Sequence, residues 1–206
     1  MGKEKYQLSN LYKLKKKDID KCAEVSAKAF KNDPMYKYIL AEKNIEESRQ
    51  LFNRFIIKYS ILYGKAYAPS SDIEGIILFS DYDDYNINLY RSLRSGALSL
   101  WKLGSDVGKR FNKYDQFTDT IHEKVMKEHH QYIIFLCVDP DYQGQGYGKQ
   151  LLLSALSKAR AKGQPTYLET HTSTNVEIYK KLGFEVAAEE IVPGSDVMCW
   201  GMIKAL

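Results

Sequence analysis

Apolar positions change period several times along the chain, and each change marks an element. Ile19, Cys22, Val25, Ser26, Ala29 and Phe30 fall on one helical stripe, with Asp18 placed to cap its start and Asn32-Asp33-Pro34 to stop it. A short helix from Pro34 to Leu40 follows. Ile45, Leu51, Phe52, Phe55, Ile56, Tyr59, Leu62 and Tyr63 predict a long amphipathic helix closed by Gly64. Loose alternation from Tyr6 to Leu14 predicts a first strand, and Lys65 to Pro69 with Ile73 to Ser80 predict a hairpin turning at Ser70-Ser71-Asp72. Helical spacing returns at Leu89, Leu93, Leu98, Leu100 and Trp101, then at Val107, Phe111, Phe117, Ile121, Val125 and Met126. The run from Ile133 to Val138 is too short for a free-standing helix and suits a strand buried on both faces, ended by Asp139-Pro140. Leu151, Leu152, Ala155, Leu156 and Ala159 mark the next helix. Thr166 to His171 reads as a strand and Asn175 to Leu182 as a short helix ended by Gly183. Phe184 to Val192 and Val197 to Ile203 pair as a hairpin through Pro193-Gly194-Ser195.

This order predicts a mixed α/β (α+β) fold. With 206 residues, no internal repeat and no low-complexity linker, the expectation is one domain spanning 1–206 with a helical insertion at about 81–130. Apolar residues at 44% and charged residues at 27% fit a globular chain. The formal charge of +4, without a long basic block, argues against nucleic-acid binding, and the lysines at 13 and 15 to 17 read as a solvated face. Cys22, Cys137 and Cys199 are odd in number and lack metal-ligand spacing, so they read as reduced core residues. Asp81, Asp83 and Asp84 are followed by no EF-hand glycine and glutamate, and no metal is expected. Met1 to Tyr6 carries no apolar leader core and no run is long enough to span a bilayer, so a cytoplasmic monomer or homodimer is expected. Tyrosine is abundant, at 16 residues, which suits both half-buried packing and a pocket for a partly apolar ligand.

The chemistry concentrates between strand and helix, in Asp139-Pro-Asp-Tyr-Gln-Gly-Gln-Gly-Tyr-Gly-Lys149. Gly144, Gly146 and Gly148 bring bare backbone to a helix start, where free N–H groups and the helix dipole favour an anion. A P-loop is excluded, since Gln143 stands where its first glycine belongs and Gln150 where its hydroxyl residue belongs. The dinucleotide fingerprint fails because its third glycine falls on Lys149 or Leu151. Gln143-x-x-Gly146-x-Gly148 instead resembles the pyrophosphate loop of the GNAT superfamily of acyl-CoA-dependent N-acyltransferases. Tyr167-Leu-Glu-Thr-His-Thr-Ser-Thr-Asn175-Val-Glu-Ile-Tyr179, with Gly183-Phe184 after it, resembles the strand, asparagine-led helix and turn that follow that loop in the family. The resemblance covers roughly residues 130 to 190. It implies a mostly antiparallel sheet flanked by helices, a splayed parallel strand pair at the cofactor, and acetyl-CoA as co-substrate. Its binding residues would be Cys137, Val138, Gln143, Gly144, Gln145, Gly146, Tyr147, Gly148, Lys149, Asn175 and Tyr179.

Acyl transfer to an amine needs a polarised thioester carbonyl, a base for the ammonium and an acid for the departing thiolate. The resemblance places the first at the main-chain N–H near Val138 and the last at Tyr179, one helical turn beyond Asn175. Candidate bases are Glu169, then His130, then His171. The leading reading is an acetyl-CoA-dependent N-acetyltransferase for a small-molecule primary amine, by direct attack in a ternary complex, with no nucleic-acid or membrane partner. An acyl-CoA-binding sensor or inactive homologue, and an enzyme acting on a peptide or protein amine, stand as alternatives. A nucleotide-binding module is disfavoured by the failed fingerprints.

Overall fold

The computed structural model describes residues 6–206; the charged start read above for its lack of a leader core lies largely outside them. Seven strands form one sheet in the order β1-β2-β3-β4-β5-β7-β6: β1 Tyr12–Lys13, β2 Lys65–Ala68, β3 Gly75–Asp81, β4 Gln131–Val138, β5 Thr166–Thr170, β6 Glu185–Ile191 and β7 Met198–Lys204. All neighbours run antiparallel except β4 and β5. The helices are α1 Ile19–Ala29, α2 Pro34–Leu40, α3 Glu46–Tyr63, α4 Leu89–Ser95, α5 Ser105–Val125, α6 Tyr147–Ala161 and α7 Ser173–Lys181.

Alternation along β3 builds the layers. Ile77 and Phe79 pack with Leu151, Leu152 and Ala155 of α6, while Ile76 and Leu78 pack with Cys22 and Val25 of α1 and Ile57 of α3. Strand β4 does not keep that rule. Ile133 joins the α6 side, yet Phe135 and Cys137, two and four residues on, join the α1 side. A bulge explains the switch: Phe79 faces Ile133 and Leu78 faces Phe135, leaving Ile134 without a cross-strand partner and turning the strand over. The strand is also only alternately buried along one face, because part of it lines a cavity.

The first strand is shorter than its alternation predicts. Leu8–Asn10 is a turn of 3-10 helix, and Leu11 and Leu14, three apart, supply its buried contacts. Asp18 does not cap α1. Its Oδ2 instead accepts from the main-chain N–H of Lys15 at 2.8 Å and from Tyr12 at 3.1 Å, tying the helix entry back to β1. Asp33, expected only to stop α1, caps α2 through Met35 and Tyr36, with Pro34 at the first helical position. Between β3 and β4 the chain is helical as expected, but Leu89, Leu93, Leu98 and Trp101 are exposed rather than core. Helix α5 seats Val107 against Tyr36, Ile39 and Phe52, and Ile121 against Val192, Val197 and Cys199 below the β6–β7 hairpin. Among the described residues no helix is long and apolar enough to cross a membrane.

Candidate active site

Strands β4 and β5 pair only from Gln131–Thr166 to Ile133–Leu168 and then part. The divergence leaves one edge of β4 unpaired beyond Ile133. The N–H of Asp139 is bonded to Glu74 on the β3 side, so alternation turns the N–H of Val138 toward the open edge. Cys137 points the other way into the α1 core, where burial pushes its thiol far above the ordinary range.

Beyond Val138 the chain makes a short 3-10 turn at Pro140–Tyr142 and enters α6 through Gly144 and Gly146, whose φ angles of +78° and +88° suit glycine. No side chain caps α6, so the N–H groups of Tyr147, Gly148 and Lys149 precede the first helical bond, Gln150 to Gly146. A Cβ at Gly144 or Gly146 would meet no atom within 4 Å, so the cradle is open to solvent. Gln143 and Gln145 lie along its rim and fasten it, donating to the carbonyls of Val138 at 3.3 Å and Asp141 at 3.5 Å. Tyr147 packs edge-on against Tyr142, and Lys149 is exposed. This donor set fits the pyrophosphate of coenzyme A: uncapped amides at a helix start, glycines that leave room, and a lysine beside them.

The wedge opens into a cavity of about 160 Å³ whose walls include Ile134 and Leu136 of β4, Glu169 and Thr170 of β5, and Asn175 and Tyr179 of α7. Facing them are Met35 and Tyr36 of α2, Phe52 and Phe55 of α3, and Phe111, Tyr114 and Asp115 of α5. Asn175 is held by a hydrogen bond from its side chain to Thr170 at 3.1 Å. Tyr179 packs on Phe184, and its hydroxyl has no hydrogen-bond partner among the described residues; burial first, then Asp33, push its pKa up to about 12. It is therefore protonated across the physiological range.

Glu169 is the carboxylate of the wedge. Burial raises its pKa to about 7 against two hydroxyls that lower it, that of Tyr132, which donates to Oε2 at 2.9 Å, and that of Tyr167. His171 also lines the cavity, with Nε2 2.9 Å from the Tyr114 hydroxyl, and burial lowers its pKa to about 4. His130, the second-ranked base, is a correction: it does not line the cavity. Its Nδ1 lies 2.6 Å from the Glu128 carbonyl and its Nε2 2.7 Å from Nε2 of His122. With Nδ1 donating to a carbonyl, Nε2 must accept from His122, so neither nitrogen is free to take a proton. Desolvation keeps the pair neutral, with His122 lowered to about 3 and His130 lowered likewise. Two wall residues had no motif to announce them. Tyr114 could have been suspected from the tyrosine surplus, whereas Asp115 reads as a surface residue of an amphipathic helix.

Residues 108–184 match the model of the acetyltransferase (GNAT) family, a span that holds most of α5, the bulged strand, the cradle and Tyr179. An uncharacterized N-acetyltransferase of Schizosaccharomyces pombe is 29% identical over 175 residues, covering 82% of this chain and 71% of its own. The fold is similar to that of a histone acetyltransferase HPA2 and related acetyltransferase from Corynebacterium glutamicum, with a TM-score of 0.62, 18% identity and 95% of both chains covered. It is similar too to arylalkylamine N-acetyltransferase 2 of Aedes aegypti, with a TM-score of 0.61, 17% identity, and 95% and 97% covered. Glycine cradle, parted parallel strands and the family match coincide on residues 108–184, an acetyltransferase (GNAT) family segment, within a chain that is similar along most of its length to an N-acetyltransferase and has the fold of such acyltransferases.

Proposed function

We propose that the protein transfers the acetyl group of acetyl-CoA to the primary amine of a small molecule with an apolar body, by direct attack in a ternary complex. The observation that carries this reading is the cavity itself: it joins the parted strands to a wall of aromatic rings and holds Glu169, His171 and Tyr179 on one side. Acetyl-CoA would bring the activated thioester. The amides of the α6 start would bind its pyrophosphate, and the Val138 N–H would receive the thioester oxygen as charge develops there. Glu169, at about 7, is a better-matched proton acceptor at neutral pH than an ordinary glutamate, and Tyr179 keeps its proton for the departing sulfur. Attack needs no enzyme nucleophile, and the cysteines support none. Cys22, Cys137 and Cys199 are buried and unpaired, with thiols held well above the ordinary range, which also supports a reducing, cytoplasmic setting.

The ring-lined wall favours acceptors with a hydrophobic body, and Asp33 and Asp115 favour a cationic head. An acceptor screen read by mass spectrometry, with thiol release followed in parallel, tests this. Aryl- and alkyl-amines gaining 42 Da, roughly one acetyl group, is the expected result; acetylation of peptide amines alone would overturn the small-molecule reading, and thiol release without any acetylated amine would overturn direct attack.

A further inference from the structure

We propose that Tyr132 is a positioning residue for Glu169: its hydroxyl holds Oε2, leaving Oε1 as the atom that takes the acceptor's proton. This rests on the reading of Glu169 as the base. Tyr132 stands on β4 opposite Tyr167, one residue before the last β4–β5 pair, so it is the tyrosine beside the point where the strands part. Its hydroxyl donates to Oε2 at 2.9 Å, while Oε1 is buried and has no hydrogen-bond partner among the described residues. The donor's direction is fixed from two sides, because its ring packs edge-on against Tyr85 at 5.2 Å and against His122 at 4.9 Å. A carboxylate anchored through one oxygen keeps a single orientation and an open proton-accepting site. Anchored through both, it would be a poor base; anchored through neither, it would rotate.

The groups facing Glu169 come from every neighbouring element. They are Tyr132 on β4, Tyr167 on its own strand, Tyr82 and Tyr85 after β3, Tyr114 and Asp119 on α5, and Cys199 on β7. Asp119 disfavours the ionised form of Glu169. Tyr132 opposes this, since a donated hydrogen bond favours the carboxylate, and the Tyr167 hydroxyl on the strand of Glu169 acts in the same direction to a smaller extent. Burial and then Glu169 hold the Tyr132 phenol far above its ordinary range, so it remains a donor wherever the enzyme works. Removing the donor therefore raises the Glu169 midpoint.

The test needs no acceptor. Protein labelled with glutamate carrying 13C at Cδ is titrated by NMR, the Glu169 resonance being the one lost in Glu169→Gln. Tyr132→Phe should move the midpoint upward from about 7 by roughly half a unit or more. A role in packing alone would lower the melting temperature and leave the midpoint in place, and that outcome overturns the proposal. Should the phenylalanine variant not fold, site-specific 3,5-difluorotyrosine at 132 is nearly the same size and a stronger donor; it should move the midpoint downward, and a midpoint unmoved overturns the proposal equally. With an accepted amine in hand, the acid limb of kcat/KM should follow the NMR midpoint in each variant. Acetylation of no amine would overturn the functional reading while leaving the midpoint shift to stand or fall by itself.

Discussion

At Glu169, the proposed role as base and the stability of the fold pull in opposite directions. Burial raises its pKa from 4.5 to about 7, so the folded state prefers the proton that the unfolded chain has already lost. Stability relative to a neutral side chain is therefore intact below about pH 4.5, declines as pH rises through the window to about 7, and stays reduced above it. At 1.36 kcal/mol per unit, that reduction is on the order of 3 kcal/mol. Glu169→Gln, which cannot ionise, should melt higher than the natural protein at pH 8 and close to it at pH 4.5, while acetyl transfer falls by roughly 10²-fold or more. Melting curves at the two pH values check this; a difference that does not grow with pH would mean the carboxylate is not held neutral by the fold. That Glu169 and Tyr179 share a cavity wall was legible because they stand at fixed steps along a recognisable strand and helix. The misplacement of His130 has a physical source. Its distance along the chain from β4 says nothing about direction, and His122, eight residues earlier on α5, takes up the nitrogen that a base would need.

At the scale of elements, periodicity located the strands other than β1, and the helices, to within a few residues, while events inside an element were hidden. The bulge at Ile134 lies in an unbroken apolar run, Ile133 to Val138, so no polar residue betrays the change of face. The exposed apolar positions of α4 and the 3-10 segment behind it were hidden for the opposite reason, since helical spacing does not say whether a partner exists. The glycine entry into α6 was legible, because glycines ahead of a helical stripe mark a turn into a helix start. Gly146→Asp tests that start cleanly. The added Cβ meets no protein atom within 4 Å, and an acidic residue suits an uncapped helix N-terminus, which offsets the strain of φ +88°. Melting temperature should change little, while acetyl-CoA affinity falls ~10-fold or more through charge repulsion at the pyrophosphate amides. Calorimetry showing natural affinity would remove the α6 start from cofactor binding.

At the scale of the whole molecule, the cavity is assembled from two sources that the sequence presents very differently. One side comes from a continuous stretch, β4 to α7, whose motifs are local. Its opposite wall gathers Phe30, Tyr36, Phe52, Phe55, Tyr85 and Phe111 from α1's end, α2, α3, the segment after β3 and α5. Each of those residues looks like ordinary packing in its own segment, so only the folded chain shows that they share a space. The division makes a prediction about independence. Phe111 is half-buried on α5, packed edge-on against Phe52 at 5.2 Å, and belongs to the far wall. Phe111→Ala should enlarge that wall and raise the acceptor KM by ~10-fold or more for an amine with an aromatic body, because ring contact there is lost. Acetyl-CoA affinity should stay within about twofold, since neither the α6 amides nor the Val138 edge touches Phe111. The pattern is the reverse of that expected for Gly146→Asp, and the two variants should combine additively in free energy. A Phe111→Ala protein that weakened acetyl-CoA as much as the acceptor would show that the far wall shapes the whole wedge. A KM unchanged across amines with and without a ring would place the acceptor's body elsewhere, leaving Phe111 as packing for Phe52.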